Sequence, residues 1–202
     1  MKSWRVFLWI LMLCGCDVFR VKPLVSSKTR ISQYCTNGGL SVAELELVEK
    51  IQTYRISKGL KPIPLSASLT VVAQQHARDL QQHKPDQGNC NTHSWSANGK
   101  WSACCYTADH ARASCMWKKP SELTSYSGKG YEIAYYYSLG ATPEKALQGW
   151  KNSPRHNSLL INNDVWQNVE WRAMGVGIYG NYATVWFGIE KDKNGPPPPC
   201  NR

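Results

Sequence analysis

Several features that would narrow the function are scarce or absent from this sequence. Only 3 of the 202 residues are phenylalanine, and 14 acidic residues stand against 24 basic ones. The apolar run near the N-terminus, residues 6–13, is far shorter than the roughly 20 residues of a membrane-spanning helix. There is no Gly-x-Ser-x-Gly segment of a serine nucleophile, and no basic helix or aromatic motif of a nucleic-acid-binding domain. These absences argue against a membrane anchor helix, a serine hydrolase and a nucleic-acid partner.

The N-terminus instead has the organisation of an export signal. Lys2 and Arg5 precede the apolar run, and the tetrapeptide that closes it, Leu-Cys-Gly-Cys, resembles a bacterial lipobox in which Cys16 is lipidated. We therefore predict a signal peptide over residues 1–15 and a lipidated, basic linker over residues 16–40. Each basic residue of the linker would strengthen its binding to anionic lipid headgroups by about 1 kcal/mol. A solvated linker that does not bind the membrane is the alternative. The expected location is extracytoplasmic and membrane-anchored, or secreted if Cys16 is not lipidated.

The remaining cysteines indicate disulfides. An even number of cysteines in an exported domain is typical of disulfides, and these six can pair in 15 ways. They are Cys35, Cys90, Cys104, Cys105, Cys115 and Cys200. A bridge between the first and the last would close the ends of the domain, and the other four would brace the irregular, Cys- and Trp-rich segment 86–130. Structural zinc is the rival interpretation, but adjacent cysteines do not fit the paired spacing of a zinc finger.

Capping residues and periodicity predict the helices. Ser41 with Glu44 forms a capping box before a helix that ends at Gly59. The apolar residues that recur at helical spacing along it are Val42, Leu45, Val48, Ile51 and Tyr54. A second helix ends before Pro85 and places His76 on its apolar face, where we expect core packing. Two further helices are predicted by Ser/Thr-Pro starts at Thr142-Pro143 and Ser153-Pro154.

The strands are fewer. Residues 131–137 are rich in aromatic and β-branched residues, which is compatible with a short strand, although a helical turn is the alternative. Residues 173–179 and the alternating segment 183–190 flank Gly180-Asn181, a pair suited to a type II′ hairpin turn. Residues 192–202 form a Pro-rich tail.

Three short polar patches contain His93, Glu132 and His156. They are Thr92-His93-Ser94-Trp95, Gly130-Tyr131-Glu132 and Ser153-Pro154-Arg155-His156. Two imidazoles and a carboxylate can bind Zn²⁺ with a fourth position open for water, and such water hydrolyses esters or peptides. His156 lies in the first turn of a predicted helix, where the helix dipole favours the neutral imidazole. A buried hydrogen-bonded network without metal is the alternative interpretation of the same three residues.

The order and spacing of these patches, with Leu69, Ala73, Ala77 and Gly175-Val176-Gly177, resemble the CAP superfamily of cysteine-rich secretory, antigen 5 and pathogenesis-related proteins. The resemblance implies an α/β fold over residues 41–191, an α/β/α sandwich with a small antiparallel sheet between helices, braced by disulfides. It also implies a cleft lined by His93, Glu132 and His156. A fourth, acidic position of the animal and plant members is Ser153 here, where we expect a helix cap.

Three functional hypotheses follow. The favoured one is a non-enzymatic, extracytoplasmic binding module for a lipid, sterol, glycan or envelope protein. The second is a zinc-dependent hydrolase that uses the same three residues. The third is a structural envelope domain that only displays surfaces to a partner.

Overall fold

The computed structural model describes residues 38–200. The predicted signal peptide, Cys16, Cys35 and most of the basic linker lie outside the described residues. The helices and strands follow in the order α1 (Val42–Ser57), α2 (Ala67–His83), α3 (Ala113–Trp117), α4 (Lys119–Leu123), β1 (Tyr131–Tyr136), α5 (Pro143–Asn152), α6 (Pro154–Leu160), a 3-10 turn (Asp164–Trp166), β2 (Ala173–Tyr179) and β3 (Tyr182–Gly188). Within residues 38–200, every helix is too short or too polar to cross a bilayer.

The three strands form one antiparallel sheet in the order β1-β3-β2. The two-residue turn between β2 and β3 contains Gly180 at a φ of +57°, as the predicted type II′ turn requires. The register places Glu132 of β1 and Gly175 of β2 on either side of Trp186 of β3. Because neighbours in a row across a sheet point to the same face, these three positions share one face.

Helices cover both faces of this sheet. Helix α2 packs on the face that carries Ala173 and Trp186, whereas α1, α5 and α6 enclose the face that carries Val176, Val185 and Phe187. The predicted α/β/α sandwich is therefore confirmed. Glu132 lies on the α2 side, which is the side of the candidate site.

Two glycines bring α2 unusually close to the sheet. A Cβ atom on Gly175 would lie 2.1 Å from the backbone of Leu69, and one on Gly177 would lie 2.4 Å from the backbone of Ala73. Thr184 of β3 adds a hydrogen bond from its hydroxyl to the Ala73 carbonyl oxygen at 3.0 Å. The α2 backbone is thus fixed on the strands without an intervening layer of side chains.

The buried face of α1 agrees with the predicted one only in part: Val48 and Ile51 are buried as expected. The capping box between Ser41 and Glu44 is present, but Val42 and Leu45 are exposed while Glu44 is buried. The reason is that the Glu44 carboxylate also accepts a hydrogen bond from the Ile178 amide of β2 at 3.1 Å. This contact turns the helix so that Glu44 faces the sheet.

The segment 86–130 is more ordered than predicted, because α3 and α4 lie within it. Two disulfides brace it, Cys90–Cys105 and Cys104–Cys115, which confirms the expected role of these four cysteines. Cys200 is disulfide-bonded as well.

Ser153 occupies the N-cap position of α6. Its side chain makes no capping hydrogen bond there, so the predicted cap is present in position only.

Candidate functional site

The centre of the site is the Glu132 carboxylate, which β1 presents toward α2. Its side chain is completely buried, and each oxygen contacts one imidazole. Oε1 is hydrogen-bonded to Nδ1 of His76, and Oε2 is hydrogen-bonded to Nδ1 of His93 at 2.8 Å. A strand, a helix and a braced loop each supply one member of this group.

His76 is held on all sides. Its second ring nitrogen, Nε2, lies 2.9 Å from the Ser94 carbonyl oxygen. Its ring stacks on Trp95 with the centroids 4.1 Å apart and 6° between the planes, and the edge of Trp186 closes the other approach at 5.9 Å. Because a carboxylate and a carbonyl oxygen both accept hydrogen bonds, His76 donates from both nitrogens and is an imidazolium. The parallel indole ring of Trp95 favours that charge.

The charge state of Glu132 follows from the same contacts. Burial raises the pKa of its carboxyl, but the charge and hydrogen bond of His76, together with those of His93, outweigh burial and leave the pKa below its usual value. Glu132 is therefore ionised at neutral pH. The pair that it forms with His76 is a buried salt bridge.

Hydrogen bonds to the loop backbone fix the position of His93. The Asn91 side chain accepts from the His93 amide at 3.0 Å, and the buried Asp79 carboxylate on α2 accepts from the Ser96 amide at 2.8 Å and from its hydroxyl at 2.6 Å. Since Nδ1 of His93 donates to Glu132, Nε2 is the ring nitrogen left for another partner.

His156, on α6, lies near this pair without touching it. Its ring is half-buried and, among the described residues, makes no direct hydrogen bond. Burial lowers the pKa of His156, the charge of His93 lowers it further, and Glu132 opposes both. The predicted direction agrees with this result, but burial rather than the helix dipole is its main cause.

A second polar group extends the site toward α6. The Tyr106 ring lies 5.2 Å from that of His93, and its hydroxyl is 2.9 Å from Nδ1 of His110. Burial raises the pKa of Tyr106, as does the negative charge of Glu132. Nη1 of Arg155 lies 3.4 Å from Nε2 of His110. Aromatic and cationic groups therefore border the imidazoles.

The donor set is a poor match for the predicted zinc site. Both oxygens of Glu132 already accept imidazole protons, which leaves two imidazole nitrogens, those of His93 and His156, as ligands. Within residues 38–200, no group of three or more His, Cys, Asp or Glu side chains is arranged to hold a metal ion. A zinc ion at His93, Glu132 and His156 would therefore require the carboxylate to exchange its partners, and this site stays a prediction.

The helical periodicity predicted that His76 lies in the core, which is correct, but it gave no connection between His76 and Glu132. A signal was available, since a histidine on an apolar helical stripe requires polar partners when it is buried. Trp95, Tyr106 and His110 were given no role in this site. They lie in the segment 86–130, where no periodicity indicates which side chains face inward.

Two cavities are lined by residues other than the three of the predicted cleft. One, of about 430 Å³, is lined by Thr92, Asp86, Tyr136 and Tyr182, and it adjoins the loop of His93. Another, of about 780 Å³, is lined by Arg55 and Trp171. Neither is lined by Glu132 or His156.

Comparisons with solved structures find folds of the same kind. An extracellular protein containing an SCP domain from Bacillus anthracis has a TM-score of 0.52 and 18% identity over 73% of this chain, which spans 40% of that protein. An outer surface protein from Borrelia burgdorferi has a TM-score of 0.48 and 18% identity, and the match covers 72% of this chain and 90% of that protein. A cysteine-rich secretory protein from Staphylococcus aureus has a TM-score of 0.46 and 19% identity, and the match covers 73% of this chain and 39% of that protein.

Among curated proteins, none matches the chain. The model of the cysteine-rich secretory protein family, CAP, matches residues 48–187, which is more than half of the sequence. These residues contain β1, α2 and the braced loop that together form the site. The chain belongs to the cysteine-rich secretory protein (CAP) family.

Proposed function

We propose that this protein is a non-enzymatic, extracytoplasmic binding module that holds a polar ligand against His93 and His156. The engagement of Glu132 carries this proposal. Its two oxygens accept from His76 and His93 and its side chain is completely buried, so a substrate at the surface cannot reach the carboxylate as a general base. The same hydrogen bonds make the surface rigid, which lowers the entropy lost when a ligand binds.

The surface offers the ligand both acceptors and donors. His93 presents Nε2, and His156, whose pKa is lowered, presents a neutral ring at physiological pH. Tyr106, His110 and Arg155 add hydroxyl, imidazole and guanidinium groups at the border. Hydroxyl groups of a glycan, amides of an envelope protein, or the polar head of a lipid or sterol are matched by this combination.

Three observations support a location outside the cytoplasm. The chain belongs to a family named for secretory proteins, and it contains disulfides, which persist in oxidising compartments. The solved Bacillus protein with a similar fold is described as extracellular. A signal peptide over residues 1–15 and lipidation of Cys16 would place the domain at a membrane surface.

The proposal is tested by purifying the full-length chain from a bacterial envelope and recording native mass spectra. We expect an adduct that His93→Gln and His156→Gln each reduce, because each removes an imidazole from the surface. His83→Gln, a change of the exposed histidine at the end of α2, is the matched control and should retain the adduct. A bare protein mass, or an adduct that survives both changes in the site, would contradict the proposal.

A further inference from the structure

A groove separate from the candidate site is formed by residues near Arg55. It has a volume of about 780 Å³ and lies between the C-terminal end of α1 and the segments 162–172 and 191–196. None of the three residues of the predicted cleft lines it. Its volume falls within the roughly 300–1,000 Å³ of small-molecule sites, so it is large enough for an organic ligand.

Arg55 forms part of the groove wall and is the unusual residue there. It is 95% buried, with only 5% of its surface exposed. Its guanidinium donates to the carbonyl oxygens of Leu160 at 2.6 Å and Lys61 at 3.3 Å, and to the amide oxygen of Asn162 at 2.7 Å. All of these acceptors are uncharged, and within residues 38–200 no carboxylate forms an ion pair with it.

This cation keeps its charge and part of its hydrogen-bonding capacity. Burial lowers the pKa of Arg55 to about 10, which is still well above neutrality. The four hydrogen bonds leave one of its five N–H groups, on Nη2, without an acceptor. Since buried charges are normally paired, an unpaired guanidinium in a cavity wall indicates a place for an anion.

Other charges at the groove add to this effect. Lys61, Arg172 and Lys191 line it and are exposed. Of the two acidic residues that also line it, Asp192 is engaged by the hydroxyl groups of Ser66 and Ser68 and by the Ser68 amide.

The second acidic residue competes only weakly. Glu170 contacts Arg172 at 3.2 Å in an exposed pair, and exposed pairs contribute little. The four cations therefore outnumber the two carboxylates that line the groove.

The remaining lining is apolar. Leu60, Leu65 and Trp171 contribute hydrocarbon and an indole ring, and prolines at positions 62, 64 and 196 extend this surface. An inorganic anion would leave most of this surface exposed to water. A ligand with an apolar body would cover it.

We propose that this groove is a binding site for an organic anion, a phosphate or carboxylate group carried on an apolar body, whose charged oxygens lie at Arg55 and among the rim cations. The site is separate from the one at His93 and Glu132, so either proposal can fail while the other stands. The shared chemistry fits a soluble ester and a membrane headgroup alike.

The test is calorimetric titration of the full-length chain with hexyl phosphate, inorganic phosphate and hexanol. We expect hexyl phosphate to bind at least about tenfold more tightly than either of the others, because only it supplies both the charge and the apolar body. The double change R172Q/K191Q removes two rim cations while retaining Arg55, and it should weaken hexyl phosphate binding by about tenfold or more. The exposed pair K100Q/K118Q, from the segment 86–130, lowers the net charge equally and should leave the affinity unchanged.

A further variant tests the sign of the electrostatic argument. Glu170→Gln removes a competing carboxylate and should strengthen binding by about two- to threefold. Arg55→Gln should abolish binding, and circular dichroism shows whether its fold is intact. If the fold of Arg55→Gln is lost, R172Q/K191Q and Glu170→Gln still test the proposal.

Two results would overturn the proposal: no binding of hexyl phosphate, or equal affinity for the wild type and R172Q/K191Q. Sedimentation with phosphatidylglycerol vesicles then identifies the source of the anion. If R172Q/K191Q reduces sedimentation and K100Q/K118Q does not, the ligand is a membrane headgroup. If the wild type binds hexyl phosphate but not vesicles, the ligand is a soluble ester.

Discussion

Replacing His76 by phenylalanine tests whether the buried pair beneath the site is ionic. A phenyl ring preserves the stack on Trp95 but removes both nitrogen donors, so Glu132 and the Ser94 carbonyl oxygen each lose a hydrogen bond. Removing one partner of a buried ion pair costs about 3–5 kcal/mol, because the other charge is left uncompensated. A loss of this size is a large fraction of the roughly 5–15 kcal/mol that stabilises a typical domain.

The assay is urea unfolding at pH 7 with intact disulfides, followed by tryptophan fluorescence. His83→Phe is the matched control, because His83 lies on the same helix and is exposed, and it should change the free energy of unfolding by less than about 0.5 kcal/mol. The double variant H76F/E132Q should be more stable than H76F alone, since a neutral amide costs less to bury than a stranded carboxylate. A cost below about 1 kcal/mol for H76F would refute the ionic interpretation.

The pH dependence has a definite sign. The pKa of Glu132 is depressed in the folded state, so the stability that it contributes is fully present above its unfolded value of about 4.3. That contribution is lost as the pH falls through the folded pKa. The difference in stability between wild type and H76F should therefore decrease as the pH falls below that value, and a difference that grows in acid would contradict this.

Four further predictions concern the rest of the domain. Removing the Cys90–Cys105 disulfide by two alanines opens a loop with a sequence separation of 15 and should lower the free energy of unfolding by about 3 kcal/mol in urea. Gly175→Ala should destabilise by at least about 3 kcal/mol, because its Cβ would lie 2.1 Å from the α2 backbone; a smaller loss in thermal unfolding would mean that α2 can move. His93→Gln should raise the pKa of His156 in an NMR titration, since a charge that opposes protonation is removed. Adding equimolar zinc should leave the melting temperature unchanged, and a clear increase would instead support the metal site.

The sequence predicted the helices and strands well where a local signal existed. The Ser41-Glu44 capping box, Pro143, Pro154 and the Gly180-Asn181 turn each marked an element that the structure contains. The same kind of reasoning misjudged the first turn of α1, where Val42 and Leu45 are exposed, because the hydrogen bond from Ile178 to Glu44 spans 134 residues and no local pattern encodes it.

The candidate site was predictable only in part for the same reason. Motifs identified His93 and Glu132, which do touch, but the partner that fixes the carboxylate, His76, is 56 residues away from it in sequence. Cysteine counting indicated disulfides and left their pairing open, because adjacent Cys104 and Cys105 bond to residues on opposite sides in sequence. Contacts between distant segments were the information that the sequence did not supply.

The direct seating of α2 on the glycines of β2 has a consequence for how this domain can diversify. The part of the site that α2 and β1 carry, His76 and Glu132, belongs to a framework that tolerates almost no displacement. His93 and His156 lie instead on a braced loop and a short helix, whose outer residues can change without disturbing that framework. Directed evolution of new ligand preferences should therefore begin in the segments around residues 86–112 and 153–157, with the charge pair kept constant.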